Sequence, residues 1–347
     1  MKISVRYILL FCLALIAFFS CKEKKKPIQG KEYTGVFFGQ PYTISIIGDT
    51  TDFRPQIDSI LNLAEHSFNS LDSTSIISKF NRFKRTDSSF VFRDSSLFFG
   101  LVYSLAEDLN SKTRQFYDPS TTPIKREWMV VNFTRKAIEP NLDSLYQFVG
   151  FDGTKIDLNE IYSDDHRYLQ TNLRKSDPRT ELDFTSLAAA YGLQCVADFF
   201  ASKGIAHYNI HCGNHTINHG ALVDSLSTVP LGISQDENDQ RIRLLDGAFT
   251  FKTVVEKRGM IDPTYGYPVD NELVYVGVYA KSLAEAETFS EAFMIMGFDQ
   301  ASKWYEENQD SNIHSFMLIQ RGDSITSAST VGFDELLLQA DSLKSEE

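Results

Sequence analysis

Between residues 33 and 332 no internal repeat and no Pro/Gly/Ser-rich linker divides the chain, while strand-like and helix-like segments alternate along it. Segments of both periods with no divider must bury their apolar faces against one another. That predicts one α+β (mixed α/β) domain with mixed or antiparallel sheets packed by helices, not a string of modules. Apolar material is sufficient for it: 42% of residues are hydrophobic and 13% aromatic, which excludes low-complexity disorder.

Tyr42 to Ile46 alternates like a strand. Ile57, Ile60, Leu61, Ala64, Phe68 and Leu71 keep helical spacing, as do Leu97, Leu101, Leu105 and Leu109. Short strands are expected at 154–158 and 167–171. A helix is expected from about 186 to 203, with Leu187, Tyr191, Cys195 and Phe199 on one face and Gly204 ending it. Strands follow near 207–212, 215–220, 231–234, 241–245, 248–254 and 274–280, then helices near 282–296 and 299–308. Phe316 to Ile319 reads as a buried strand, and the stretch 333–347 as a C-terminal helix or frayed tail.

The N-terminus has its own logic. Lys2 and Arg6 precede twelve uninterrupted apolar residues, Ile8 to Phe19, too few to span a bilayer and suited to a signal core. The run ends in Ser20-Cys21, which resembles a bacterial lipoprotein processing site. The resemblance implies removal of residues 1–20, lipid on Cys21, a tether over 21–32, and an exported, membrane-anchored protein facing the periplasm. Losing Lys2 and Arg6 moves the net charge from −12 to about −14, which disfavours nucleic acid as a partner. Four cysteines exclude a disulfide scaffold; Cys195 and Cys212 are the only ones inside the domain, and their pairing is open.

His207, His211, His215 and His219 recur every four residues, as ligands on a helix would. Gly213-Asn214 between two β-rich runs predicts a two-residue hairpin instead, which sends the first two histidines to the opposite sheet face from the last two. In that hairpin Cys212 faces His215, as ordinary packing or as a thiolate–imidazole unit. Asp262-Pro263 opens a rigid loop that closes on Gly266-Tyr267-Pro268, with the Asp262 carboxylate either capping its own turn or doing chemistry. Glu285, Glu287 and Glu291 fall on the helix after Ser282. The last two share a face, as a solvated acidic surface or as oxygen ligands for a hard divalent cation.

Taken in order over residues 39–332, these segments resemble the ApbE-like family, the FAD:protein FMN transferases. Gly39-Gln40-Pro41-Tyr42 is similar to its opening strand, and Ser78-Lys79-Phe80-Asn81 to its Ser-Arg-Phe-Asn turn. Tyr117-Asp118-Pro119-Ser120-Thr121-Thr122-Pro123 with Trp128 resembles its Phe-Asp-Pro segment. Leu182-Asp183-Phe184 with Ala188 and Tyr191-Gly192 sits where its Asp-Leu-Gly-Gly-Ile-Ala-Lys-Gly-Tyr signature lies, and Ile261 to Pro268 matches its Asp-Pro loop. The resemblance implies a metal-dependent reaction in which a threonine hydroxyl of an acceptor flavoprotein takes FMN from FAD and AMP leaves. It places Asn81, Asp118, Thr121, Asp183, Thr250 and Tyr265 around the nucleotide and Asp262 at the reacting phosphates. Mg²⁺ would sit on Glu287, Glu291 and the Ala188 carbonyl.

The chain departs from the family pattern near the chemistry. Ala189 stands for the signature lysine and Ala190 for the glycine after it, where a Cβ would crowd a phosphate. Thr185 and Ser186 replace the two signature glycines, and His215 the glutamate of the Gly-Gly-Glu turn. Ile76 stands for a glutamate, Gly259 for a histidine and Tyr265 for the loop threonine. Glu287 and Glu291 replace an Asp and a Thr. Lys252, in the Thr-Ser-Gly stretch, is either a solvated strand-end lysine or a cation restored near the diphosphate. Two functions are therefore expected to compete: a working transferase, and a catalytically inactive homologue serving as a flavin-binding or protein-interaction lipoprotein.

Overall fold

The computed structural model describes residues 30–134, 139–220, 228–231, 241–244 and 246–337. The signal segment, Cys21, the tether up to residue 29, all but the first residue of the strand expected over 231–234, and the tail past 337 lie outside them. The last three residues expected in the tether, Gly30 to Glu32, are instead the start of the first strand, which pairs antiparallel with the next. No helix among the described residues is long and apolar enough to cross a membrane.

The strands are β1 (Gly30–Phe37), β2 (Gln40–Ile47), β3 (Phe90–Phe92), β4 (Ile156–Tyr162), β5 (Tyr168–Lys175), β6 (Tyr208–Cys212), β7 (His215–His219), β8 (Thr228–Pro230), β9 (Arg241–Arg243), β10 (Gly247–Thr253), β11 (Leu273–Ala280), β12 (His314–Arg321) and β13 (Ser324–Ser329). Eight of them form one sheet in the order β1-β2-β6-β7-β10-β11-β12-β13, and β3-β5-β4 form a second. Every pairing is antiparallel. The main helices are α1 (Arg54–Phe68), α2 (Ile76–Arg82), α3 (Phe98–Lys112), α4 (Thr122–Thr134), α5 (Thr185–Ser202) and α6 (Leu283–Glu307). Helix α6 packs on β10, β11 and α5, and α1 packs on α5.

The α1 stripe buries Ile57, Leu61, Ala64 and Phe68, while Leu71 lies past the helix and is exposed. Each such buried large side chain contributes about 1.5–3 kcal/mol. In α3 the expected leucine stripe is not the core face. Leu97 caps the helix in a left-handed conformation and Leu101 faces solvent, while Phe99, Val102, Tyr103, Ala106 and Leu109 are buried. Phe99 stacks on Phe68 at 4.6 Å, so the aromatic residues set the face. In α5 the core face is likewise rotated to Leu187, Leu193, Val196, Ala197 and Phe200, leaving Tyr191, Cys195 and Phe199 half-buried. Helix α2 occupies the expected Ser78–Asn81 turn, with Ser75 Oγ accepting from the Ser78 N–H.

The two helices expected after Ser282 are one run broken at Gly297, where φ is +74°. Asn271 Nδ2 donates to the Met294 and Ile295 carbonyls, and Glu272 Oε1 accepts from the Phe298 N–H. The groups freed by the kink are thus repaired from one loop.

Candidate active site

The cleft opens between the β6–β7 hairpin, the end of β10, and the N-terminal parts of α4, α5 and α6. Its volume is about 510 Å³, within the range of small-molecule sites. It is lined by residues from turns on one side and from the sheet and α6 on the other.

On the turn side, Asp118 Oδ1 accepts from the Ser120 N–H (2.7 Å) and Oγ (2.6 Å), and Thr121 Oγ1 donates to the Asp118 carbonyl (3.1 Å). Burial pushes the Asp118 carboxyl above the ordinary aspartate value against those hydrogen bonds. Asp183 Oδ1 accepts from the Thr185 N–H at the start of α5 (2.9 Å). Asp118, Thr121 and Asp183 all line the cleft, as does Tyr117. The Tyr117 hydroxyl is buried and has no hydrogen-bond partner. Burial, with Glu291 and Asp183 nearby, lifts its pKa well above the usual phenol range, so it stays a neutral O–H.

On the sheet side, two-residue alternation along β10 aims Thr250 and Lys252 at α6, where Glu287 is buried. Lys252 Nζ donates to Glu287 Oε1; His215 Nε2 lies 2.9 Å and Thr250 Oγ1 3.2 Å from Glu287 Oε2. Burial would raise Glu287, but Lys252, then His215, holds it well below the usual carboxylate range. Burial would lower Lys252, but Glu287 and then Glu291 raise it above the ordinary lysine value. Both partners are therefore charged. One turn on, Glu291 also lines the cleft, its Oε2 3.5 Å from Ser186 Oγ.

Other expected residues lie elsewhere. Asn81 clamps the entry to α5: its Nδ2 donates to the Leu182 carbonyl (2.8 Å) and its Oδ1 accepts from the Leu182 N–H (2.9 Å). Asp262 Oδ1 accepts from the Thr264 N–H (2.8 Å), the self-capping arrangement, and is not among the cleft-lining residues. Its loop is anchored by Trp128 Nε1 donating to the Gly266 carbonyl (2.7 Å) and Tyr146 Oη to the Pro263 carbonyl (2.8 Å). Gly266 has φ +74°, and a Cβ there would meet Leu142 at 2.8 Å, so glycine is required. Tyr265 is 65% exposed, outside the cleft. Thr250 and Ala188 are wholly buried and do not line it; Ala189 does, whereas Ala190 faces the core.

The histidine series does not converge. His215 pairs with Cys212 and His219 with Tyr208, while His211 pairs with Thr216 on the other sheet face. Cys195 and Cys212 are free thiols. Burial pushes the Cys212 thiol up to about 11, so it is protonated, and His215 turns to Glu287 instead. His215 as a partner of Glu287, and Lys125 and Glu256 as cleft residues, were not expected from the sequence. Lys252 was legible from its place in the Thr-Ser-Gly stretch, as one of two readings, but its carboxylate partner was not.

A divalent ion on Glu287 and Glu291 does not fit these side chains as they lie. Both Glu287 oxygens are already engaged, one of them by a cation. Among the described residues no group of three or more His, Cys, Asp and Glu side chains is assembled to hold a metal.

With this geometry in hand, comparison with known proteins decides the family. A family model described as "ApbE family" matches residues 38–317. The chain belongs to the ApbE family. Among curated relatives, the FAD:protein FMN transferase of Vibrio cholerae is 24% identical over 90% of this chain and 94% of its own length. That of Haemophilus influenzae is 20% identical over 91% and 93%. Among solved structures, the flavin transferase ApbE of Vibrio cholerae superposes with a TM-score of 0.73 at 22% identity, covering 89% of this chain and 100% of that one. The apo flavinyl transferase ApbE of Pseudomonas stutzeri gives 0.70 at 20% identity, covering 89% and 97%. This ApbE-family chain thus has the ApbE fold, with a cleft whose sheet-side wall carries its own ammonium.

Proposed function

We propose that this chain binds FAD in the cleft and transfers FMN to a threonine hydroxyl of an acceptor flavoprotein. One observation carries the reading. Segments scattered from Gln40 to Glu291, all inside the family match, converge on one cleft of ligand size. In the reaction the hydroxyl oxygen bonds to the phosphorus on the FMN side, the bond from that phosphorus to the bridging oxygen breaks, and AMP leaves with that oxygen. The hydroxyl proton passes to solvent or to the leaving group. The cleft residues hold the diphosphate in line with the incoming hydroxyl; charge on its non-bridging oxygens needs fixed donors or cations. The turn side, with Asp118, Thr121 and Asp183 tied to backbone N–H or carbonyl groups, shapes the nucleotide seat. Mg²⁺ is assigned no step, because Glu287 is not open to it. Asp262 is assigned the shape of its loop.

Incubation with FAD and an acceptor domain bearing the target threonine tests this reading. Covalent flavin on the acceptor and stoichiometric AMP support it. FAD bound without AMP release supports the second reading, an inactive flavin-binding homologue. That reading is favoured by Ala189 in the lining, where the signature would place a cation, and by the self-capped Asp262.

We also propose export and lipid anchoring through Cys21, on the strength of Lys2, Arg6, the apolar run and Ser20-Cys21. Labelled fatty acid should enter the wild-type chain, and Cys21→Ala should abolish that labelling and release the protein from the membrane fraction.

A further inference from the structure

We propose that Lys252 is the resident cation of this cleft, and that a dinucleotide's diphosphate binds on its ammonium without a divalent metal. The inference rests on reading the cleft as an FAD site. The pair is oriented for the task. Both Lys252 and Glu287 line the cleft, and side-chain exposure is 10% for Lys252 against 1% for Glu287, so the lysine is the more open member of the pair. An ammonium has three N–H donors. One goes to Glu287 Oε1, and no other acceptor engages Lys252 Nζ among the described residues, which leaves donors for a ligand oxygen. Glu287 is in turn fixed by His215 and Thr250, which position the ammonium on a rigid strand and helix. A second unspent donor belongs to a residue of the same lining: Tyr117, whose buried hydroxyl has no partner.

The rival reading is a core ion pair that merely borders the cleft. The orphan phenol argues against it, because a buried hydroxyl is normally hydrogen-bonded and this unpartnered one belongs to a cleft-lining residue. The chain's substitutions agree. Ala189 removes one cation from the lining, and Lys252 supplies one from the opposite wall. A divalent ion and the ammonium compete for the Glu287 carboxylate, whose Oε1 the ammonium already holds, so the site takes one or the other.

Calorimetric titration of the full chain with FAD, once in EDTA and once in Mg²⁺, tests the proposal. The two dissociation constants should agree within about threefold. The double variant Lys252→Met/Glu287→Gln, which leaves no orphaned charge, should weaken binding in EDTA by about tenfold or more. A readout without nucleotide is Mn²⁺ binding followed by electron paramagnetic resonance. The wild type should hold no Mn²⁺ at micromolar levels, whereas Lys252→Ala, with Glu287 unblocked beside Glu291, should gain a site. FAD binding that falls by about tenfold or more in EDTA overturns the proposal and leaves the flavin reading standing. A wild-type Mn²⁺ site abolished by Glu287→Gln also overturns it. No FAD binding under either condition overturns the flavin reading itself, and with it the ligand assigned here.

Discussion

Lys175 and Lys252 are both buried, in regions that treat the same ammonium in opposite ways. Lys175, at the end of β5, donates to the Phe80 (3.0 Å) and Thr180 (2.9 Å) carbonyls and lies over the Phe80 ring at 4.6 Å. Every partner it has is neutral, and burial pulls it down to about 8. Lys252 suffers the same desolvation, but Glu287 reverses it. Carbonyl dipoles satisfy an ammonium's hydrogen bonds without neutralising its charge; a carboxylate does both. The Lys175 region is therefore a structural rivet joining α2, β5 and the segment leading into α5. The Lys252 region is a charged device facing a cleft.

The largest effect that would break this comparison comes from Glu287. Glu287→Gln leaves the Lys252 ammonium buried with no anion and should cost about 3–5 kcal/mol of stability in urea unfolding. A loss near zero would mean that the cluster is not a sealed ion pair. The same variant has a pH signature. Glu287 is held below its ordinary value of 4.5, so in acid the unfolded chain takes up the proton first. The stabilisation is present above about pH 4.5 and is lost as pH falls below it, so the variant should show a shallower acid limb.

Next comes Lys175 at alkaline pH. Between about 8 and 10.5 the folded lysine is neutral while the unfolded one keeps its proton. The unfolded state binds more protons there, so this group makes stability rise with pH, by at most about 3 kcal/mol. Unfolding midpoints of wild type and Lys175→Met, compared across that window, isolate the contribution from titrating tyrosines. If the two curves run parallel, Lys175 is not desolvated and the contrast fails.

A smaller effect sharpens the rivet assignment. Asn81→Ala orphans the Leu182 N–H and carbonyl and should destabilise by about 1–3 kcal/mol, read by thermal unfolding. FAD affinity should stay within about threefold, because both ends of the Asn81 amide are spent on Leu182. A large affinity loss at unchanged stability would instead make Asn81 a nucleotide contact.

Local signals were the legible part of this molecule. The Gly213-Asn214 hairpin, Gly204 at the end of α5 and the strand at Tyr42 lie where pattern and turn chemistry put them. The cleft contacts of Asp118 and Asp183 follow from motif position. In α3 the leucine spacing competes with an aromatic face at Phe98, Phe99 and Tyr103, and in α5 the Leu187-to-Phe199 stripe competes with an equally apolar one at Leu193, Val196 and Phe200. Periodicity does not say which of two apolar stripes meets the larger partner. Asn81 and Asp262 fit a motif, yet their side chains close on nearby backbone.

The order of apolar and polar residues, the turn residues and the family motifs determined an antiparallel α+β domain of the ApbE type, because these depend on neighbours close along the chain. Which charges meet was decided only by the fold. His215, Lys252 and Glu287 come from three separate elements, and a buried ion pair exists only where packing excludes water from all of its members at once.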